Sequence, residues 1–466
     1  MDPRTLDSLK IITLKIIFSV FYTYFLMLKF KIITLGCKVN QYESEALAEQ
    51  LELADLTPAG PEEKADLYIV NTCTVTGRAA MQSRQAIRQA VRNNPGAHMV
   101  VTGCYAQTAP AEITSIDGVD RILGIDDKPH LLDLVLDRRL PPSNRPNKVA
   151  DTIQETGPIN GPVKGNRSRP FLKVQDGCEA FCTYCIVPYA RGPSRSLTPD
   201  KAIDGIRRLK RNGYHEVVLT GIHLGCYGND LKPPTDLLTL LGQIRNAGAI
   251  DRVRLSSIEP RELSDALLRF VVDAGDGPGR ICPHFHIPLQ SGDDGILQKM
   301  NRPYTGRFFE KLIGKILCLM PEAAIGVDVL VGFPGETDAS FERTRRLLED
   351  LPVAYLHVFP FSPRKGTPAY HFTKKVPTAE VRERCRVMRM IGDHKKSEFY
   401  RRSVGKPLEV IIEDRKHLPE GYLVGTSANY IPVLVEKADC QKRSLAPVKL
   451  VVEKVAKDLR VFGKPV

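Results

Sequence analysis

The stretch DGCEAFCTYCIVPYARG (176–192) places Cys178, Cys182 and Cys185 within eight positions, with no fourth cysteine or histidine close by. Structural zinc takes four ligands, typically from paired Cys-x-x-Cys knuckles. The nearest other candidates, His215, His223 and Cys226, lie on or beyond the next apolar run, so zinc fits this spacing poorly. Iron accepts thiolates readily, and a [4Fe–4S] cluster held by three cysteines keeps one iron open. An open iron can bind a substrate or a cofactor, which gives the count of three a chemical purpose.

Three further cysteines are dispersed but patterned. Cys37, Cys73 and Cys104 each follow a short apolar run: FKIITL (30–35), DLYIV (66–70) and HMVV (98–101). These runs are rich in β-branched residues and too short for core helices, so they read as buried strands. The stretches 40–54 and 77–93 between them read as helices, the second closing near Asn93, Asn94 and Pro95. Such alternation implies βαβ units and a parallel sheet, whose strand C-termini are where open α/β sheets place ligands. Gly36 and Gly103 directly precede two of the cysteines and allow tight turns there. Three thiols are therefore expected to converge on one crevice; the bland alternative is three unrelated small buried side chains.

The elements beyond must position the first set. Apolar runs at 215–221, 251–260, 284–290, 325–335 and 354–361, each flanked by a helical stretch, suit a barrel or partial barrel with ligand-bearing loops at the strand C-termini. Residues 377–405 read as one long basic helix. Five short strands then follow among turns and make a small antiparallel barrel. The fold class is α/β, divided into 30–138 (parallel α/β domain), 139–170 (a Pro, Gly and Asn linker), 171–403 (partial β/α barrel) and 404–466 (small β-barrel). Residues 1–29 form an N-terminal extension.

Composition agrees with an ordinary globular protein: 466 residues, 42% hydrophobic and 26% charged. Eleven cysteines without a cleavable signal argue against a secreted disulfide framework and for reduced thiols in a cytoplasmic setting. The net charge is +12, and residues 361–466 carry 23 Lys and Arg against 12 Asp and Glu. A basic end on a near-neutral body suits a polyanion such as RNA, or merely aids solubility. The apolar stretch 11–27 contains Lys15 and falls short of the ~20 residues of a membrane span. It also lacks a cleavage site, and a true start at Met27 is the favoured reading, with no stable membrane association.

The spacing Cys-x-x-x-Cys-x-x-Cys, with Tyr184 before the last cysteine, resembles the radical S-adenosylmethionine enzymes. Together with TLGCKVNQYESE (34–45), NTCTVT (71–76), VTGCYAQ (101–107), HIPLQSGDD (286–294), KMNR (299–302) and VGFPGET (331–337), it looks like the methylthiotransferases from about residue 30 to the C-terminus. The resemblance implies two [4Fe–4S] clusters. Cys178, Cys182 and Cys185 match the ligands of the one that chelates S-adenosyl-L-methionine and cleaves it to a 5′-deoxyadenosyl radical. Cys37, Cys73 and Cys104 match the ligands of an auxiliary cluster whose open iron carries the sulfur. One S-adenosylmethionine methylates that sulfur, a second furnishes the radical, and C–H becomes C–S–CH3. A low-potential electron donor and a sulfur donor are implied as partners.

The wording around Cys37 is similar to the branch acting on threonylcarbamoyladenosine at position 37 of tRNA. The alternatives are isopentenyladenosine 37, a ribosomal-protein aspartate, or, in another class, a non-catalytic iron–sulfur RNA-binding protein. The C-terminal barrel resembles the TRAM module, with Tyr422 or Tyr430 as candidates to stack on an anticodon stem-loop or simply to fill the barrel. Tyr184, Glu259 and Gly332 are candidate S-adenosylmethionine contacts, since each lies by the cysteine loop or follows a strand. Cys282, His284 and His286 invite a metal reading, but alternation along a strand puts them on one face regardless. Cys226, Cys318, Cys385 and Cys440 match no ligand position.

Overall fold

A computed structural model describes residues 28–136, 167–413 apart from 274 and 276, 418–439 and 445–466. The apolar stretch 11–27, most of the linker and Cys440 lie outside these residues. No helix among the described residues is long and apolar enough to cross a membrane. The chain forms two compact units, divided near residues 150–160.

In the first unit, strands β1 (Lys29–Thr34), β2 (Leu67–Thr72) and β3 (His98–Gly103) pair in parallel, with β2 in the middle. Short strands Thr57–Pro58 and Arg121–Ile122 complete the edges. Every residue of β2 is buried, as a parallel strand covered on both faces requires. Helices α1 (Lys38–Leu53) and α2 (Gly77–Asn93) follow β1 and β2. The apolar residues of β2 alternate between two cores, Tyr68 and Val70 packing with Ile87 of α2, Leu67 and Ile69 with Leu47 and Leu51 of α1.

Among its described residues the second unit holds seven parallel strands in an arc, one of them only the two residues Arg280–Ile281. Strands β4 (Phe171–Lys173), β5 (Glu216–Thr220) and β6 (Arg252–Leu255) form one sheet, and β7 (His284–Gln290), β8 (Ala324–Val331) and β9 (Tyr355–Pro360) the other. A single parallel bridge between Ser257 and His286 joins them. The arc's outer face is apolar: Phe285, Ile287 and Leu289 are fully buried, and Leu356 packs on Gly392 of helix α3 (Thr378–Arg401).

Five strands then close a barrel: β10 (Pro407–Glu413), β11 (Tyr422–Ser427), β12 (Pro432–Glu436), β13 (Val448–Val455) and β14 (Val461–Pro465). All pairs are antiparallel except β12 with β14, which run parallel and complete the ring. This barrel docks on the N-terminal end of the arc. Glu216 on β5, fully buried, accepts from Arg252 (2.5 Å) and Arg254 (2.8 Å) on β6, and Arg254 also donates to the carbonyls of Ser427 and Ala428. Arg252 and Arg280 reach Glu409 of β10, and Arg169 reaches Glu413. Tyr430 stacks on His284 at 4.2 Å, with Arg254 and Arg169 over its ring. Tyr430 is thus occupied by the protein itself, which removes it as a free stacking surface for RNA. Tyr422 meets Phe462 edge-on within the barrel.

Candidate active site

The strand register in the first unit brings its three cysteine loops side by side. Thr34 lies beside Asn71, and Thr72 beside Gly103, so the turns carrying Cys37, Cys73 and Cys104 leave the sheet at the same end. Cys37 caps α1, Cys104 opens a short helix, and Cys73 lies in the turn before α2. Gly103 adopts φ 96° and ψ −172°, a conformation essentially restricted to glycine. A Cβ at Gly36 would fall 2.9 Å from Cys73 Sγ, so the Cys73 side chain fills the space beside the Cys37 turn.

A buried polar net fixes these turns. Asn40 donates to the carbonyls of Leu35 (2.8 Å) and Thr72 (3.0 Å), while Asn71 donates to Asn40 O and Ser44 Oγ. Ser83 of α2 bonds both N–H and C=O of Cys73. Lys128 donates to Glu43 and Asn71 with no exposure to solvent to speak of. The motif residues Asn40 and Asn71 therefore act as struts between loops, which the sequence alone did not reveal.

In the second unit the loop 177–194 leaves β4 and is clamped at its base. Gln175–Asp176 pairs with Arg195–Ser196, and buried Asp176 accepts from Arg191 (2.8 Å) and Lys173 (3.1 Å). Cys178 N–H donates to Gly192 O, and Cys185 N–H to Cys182 O, which fixes the backbone of the cysteine loop. The KMNR segment pins the tip: Thr183 bonds the carbonyls of Lys299 and Met300, and Asn301 donates to Ala180 O and Phe181 O. Tyr184 packs edge-on against Phe333 at 6.4 Å and joins an apolar cluster with Met300 and Leu330.

The loops after β5 and β6 complete the wall. A cavity of about 260 Å³ is lined by Ala180, Cys182, His223, Glu259, Arg302 and Tyr304, among others. Arg302 directs one guanidinium N–H to Cys182 Sγ (3.4 Å) and another contact to Glu259 (2.9 Å). His223 Nδ1 lies 3.6 Å from Cys178 Sγ, and its Nε2 meets Glu262 at 2.5 Å. Cys226, set aside from the sequence, lies 3.4 Å from His223 Nδ1 and joins His223 and Glu262 in a compact group. Gly332 (φ 81°) has no room for a side chain, because a Cβ would meet Val381 at 2.4 Å. Its N–H donates to Glu336, which Arg384 of α3 holds at 2.8 Å.

Electrostatics suit an electron-rich metal–thiolate group. Burial pushes the Cys185 thiol up to about 12 and raises that of Cys182, with Arg302 opposing the latter. A cation bound to these sulfurs would release their protons. Burial also raises the Glu259 carboxyl against the pull of Arg302. Burial works against charging His223, but its bonds to Cys178, Cys226 and Glu262 outweigh that and raise its pKa above the ordinary imidazole value. A guanidinium N–H and an imidazole nitrogen thus face two of the three sulfurs, as expected around a thiolate-ligated cluster.

Comparison with known proteins agrees with this architecture. A model of the uncharacterized protein family UPF0004 matches residues 29–124, and one of the radical SAM superfamily matches residues 172–348. The threonylcarbamoyladenosine tRNA methylthiotransferase MtaB of Bacillus subtilis is 38% identical over 90% of this chain and 92% of its own length. The chain belongs to the tRNA methylthiotransferase family. The Aquifex aeolicus MtaB is also 38% identical, over 84% of this chain and 94% of its own. A tRNA-2-methylthio-N(6)-dimethylallyladenosine synthase of Pelotomaculum thermopropionicum is 32% identical over 86% and 90%. Among solved structures, the radical S-adenosylmethionine methyltransferase TsrM of Kitasatospora setae shares the fold, with a TM-score of 0.51 at 15% identity over 74% of this chain and 73% of its own.

Proposed function

We propose that this chain installs a methylthio group at carbon 2 of threonylcarbamoyladenosine 37 in tRNA. The observation that carries this reading is 38% identity to MtaB across nine-tenths of the chain, against 32% to the dimethylallyladenosine synthase. In this reading Cys178, Cys182 and Cys185 hold a [4Fe–4S] cluster that binds S-adenosylmethionine. Cys37, Cys73 and Cys104 hold a second. When bound, a reduced cluster at the first site would supply the electron that cleaves S-adenosylmethionine, and one at the second would supply the sulfur. Two triplets of thiols, each at the C-terminal ends of parallel strands, support that assignment.

The chain's own residues then bind and orient. Arg302 and His223 stabilise charge on the thiolates, Glu259 and Gly332 are the proposed S-adenosylmethionine contacts, and Tyr184 with Phe333 keeps water from the sulfurs. The domains divide as 30–138, 171–403 and 404–466, the last a TRAM-like barrel that binds the anticodon stem-loop. A low-potential electron donor and a sulfur donor complete a cytoplasmic reaction.

Two measurements test this. Nucleoside analysis of a deletion strain is expected to lose methylthio-threonylcarbamoyladenosine and keep methylthio-isopentenyladenosine; the reverse pattern refutes the substrate. After anaerobic reconstitution, about eight irons per chain are expected, falling to about four in a Cys37→Ala, Cys73→Ala, Cys104→Ala variant. A non-catalytic iron–sulfur protein instead yields no 5′-deoxyadenosine from S-adenosylmethionine.

A further inference from the structure

The inner face of the second sheet carries a polar cluster that the cysteine sites do not use. His286 on β7, Asp328 on β8 and His357 on β9 project to the same side, since Asp328 lies beside His357 and beside Pro288, two residues along from His286. Asp328 Oδ1 lies 2.6 Å from His286 Nε2 and 3.3 Å from His357 Nδ1. Ser257 Oγ sits 3.0 Å from His286 Nδ1 and fixes that ring. The 2.6 Å contact has the length of a direct hydrogen bond. The three side chains form a hydrogen-bonded array.

Its surroundings define what it can hold. One layer towards the strand N-termini, His284, Tyr355 and Tyr430 close the lumen, with His284 Nε2 and Tyr355 Oη 2.8 Å apart. Gly326 makes room there, because any Cβ would strike the Tyr355 ring. One layer the other way, Phe359 lies two residues beyond His357 on the same face, its ring 6.4 Å from the imidazole and 43% exposed. His357 is itself half-exposed, whereas Asp328 and His286 are largely covered. A planar base stacked on Phe359 would thus bring its substituent beside His357.

We propose that His286, Asp328 and His357 form a recognition subsite for an anionic substituent on the nucleobase, with His357 donating to its carboxylate. This deepens the reading above and rests on it, since threonylcarbamoyladenosine carries such a carboxylate and the isopentenyl group does not. Asp328 makes the subsite selective in an indirect way: its carboxylate is held by both imidazoles, at 2.6 Å and 3.3 Å. An imidazolium between two carboxylates satisfies both, where an unpartnered Asp328 would repel the ligand. A neutral substituent leaves that imidazolium without its second partner, and it is rejected for that reason.

The test compares two anticodon stem-loop RNAs, one carrying threonylcarbamoyladenosine and one with the threonyl carboxylate replaced by a neutral amide. The readout is the ratio of kcat/KM for methylthiolation of the two. The reconstituted wild-type protein is expected to prefer the carboxylate RNA by about tenfold or more, the worth of one charge-assisted hydrogen bond. His357→Ala and the isosteric Asp328→Asn are each expected to bring the ratio close to unity, with iron content unchanged. A wild-type ratio near unity, or a variant that keeps the wild-type ratio, overturns the subsite. A wild-type protein that modifies neither RNA instead refutes the substrate reading on which it stands.

Discussion

Arg302 sits where a single side chain governs both a sulfur and a carboxylate. Its N–H to Cys182 Sγ stabilises negative charge on the thiolate, and that charge is greater in the reduced cluster. Arg302→Met is therefore expected to move the midpoint potential of the cluster proposed at Cys178, Cys182 and Cys185 to more negative values, read by a redox titration followed by electron paramagnetic resonance. An unchanged potential with full iron content would remove Arg302 from this role. The cysteines themselves were readable from spacing, because ligand count and loop position leave a pattern along the chain. Arg302 was visible only as part of KMNR, and His223 only as a rejected zinc ligand. Their contacts to sulfur depend on loops separated from the cysteines by 45 residues or more.

At the scale of elements, the strand-to-loop turns decide whether thiols converge. Gly103 ends β3 in a conformation that other residues rarely adopt, and a Cβ there would lie 2.5 Å from Thr72 O and Asn71 Oδ1. Gly103→Ala is expected to lose about 1–3 kcal/mol in urea unfolding, from backbone strain and overpacking against a neighbouring strand. It should also shed the irons of the auxiliary site, since Cys104 must move with the turn. Gly96→Ala is the control, because nothing lies within 4 Å of its added methyl. Strands at 30–35, 66–70 and 98–101 and the helices after them were legible from apolar runs of β-branched residues, and the structure places them within a few residues of those bounds. The short strand β4 was not, since three residues carry too little periodicity to register.

For the whole molecule, the decisive contact is between the arc and the C-terminal barrel. Burial alone would raise the Glu216 carboxyl, but Arg254, Arg252 and Arg169 outweigh it and hold it at about 2, against an ordinary 4.5. A carboxyl lowered on folding stabilises the protein fully above its unfolded value and loses that contribution as protons bind. Stability is thus expected to fall between about pH 4.5 and pH 2 as Glu216 is protonated. Glu216→Gln strands buried guanidiniums at all pH values, at a cost of about 3–5 kcal/mol. Urea midpoints at pH 7 and pH 3 should show a lower value for the variant at pH 7 and a smaller drop on acidification. An identical acid response in both proteins would show that Glu216 does not couple the two barrels. The basic character of residues 361–466 was plain from composition, but the acidic residues Glu409 and Glu413 turned out to make this junction.

By itself, the sequence determined the local order of strands and helices, the closing five-stranded barrel and the identity of six candidate ligands. Each of these is written in short-range periodicity or in spacing within one loop. Only the tertiary structure decided that Tyr430 belongs to a protein interface, that Asn40 and Asn71 brace the cysteine turns, and that His286 meets Asp328 and His357. Those pairings join residues 29 to 146 positions apart, and which residues face one another across parallel strands is set by register, which no single strand specifies.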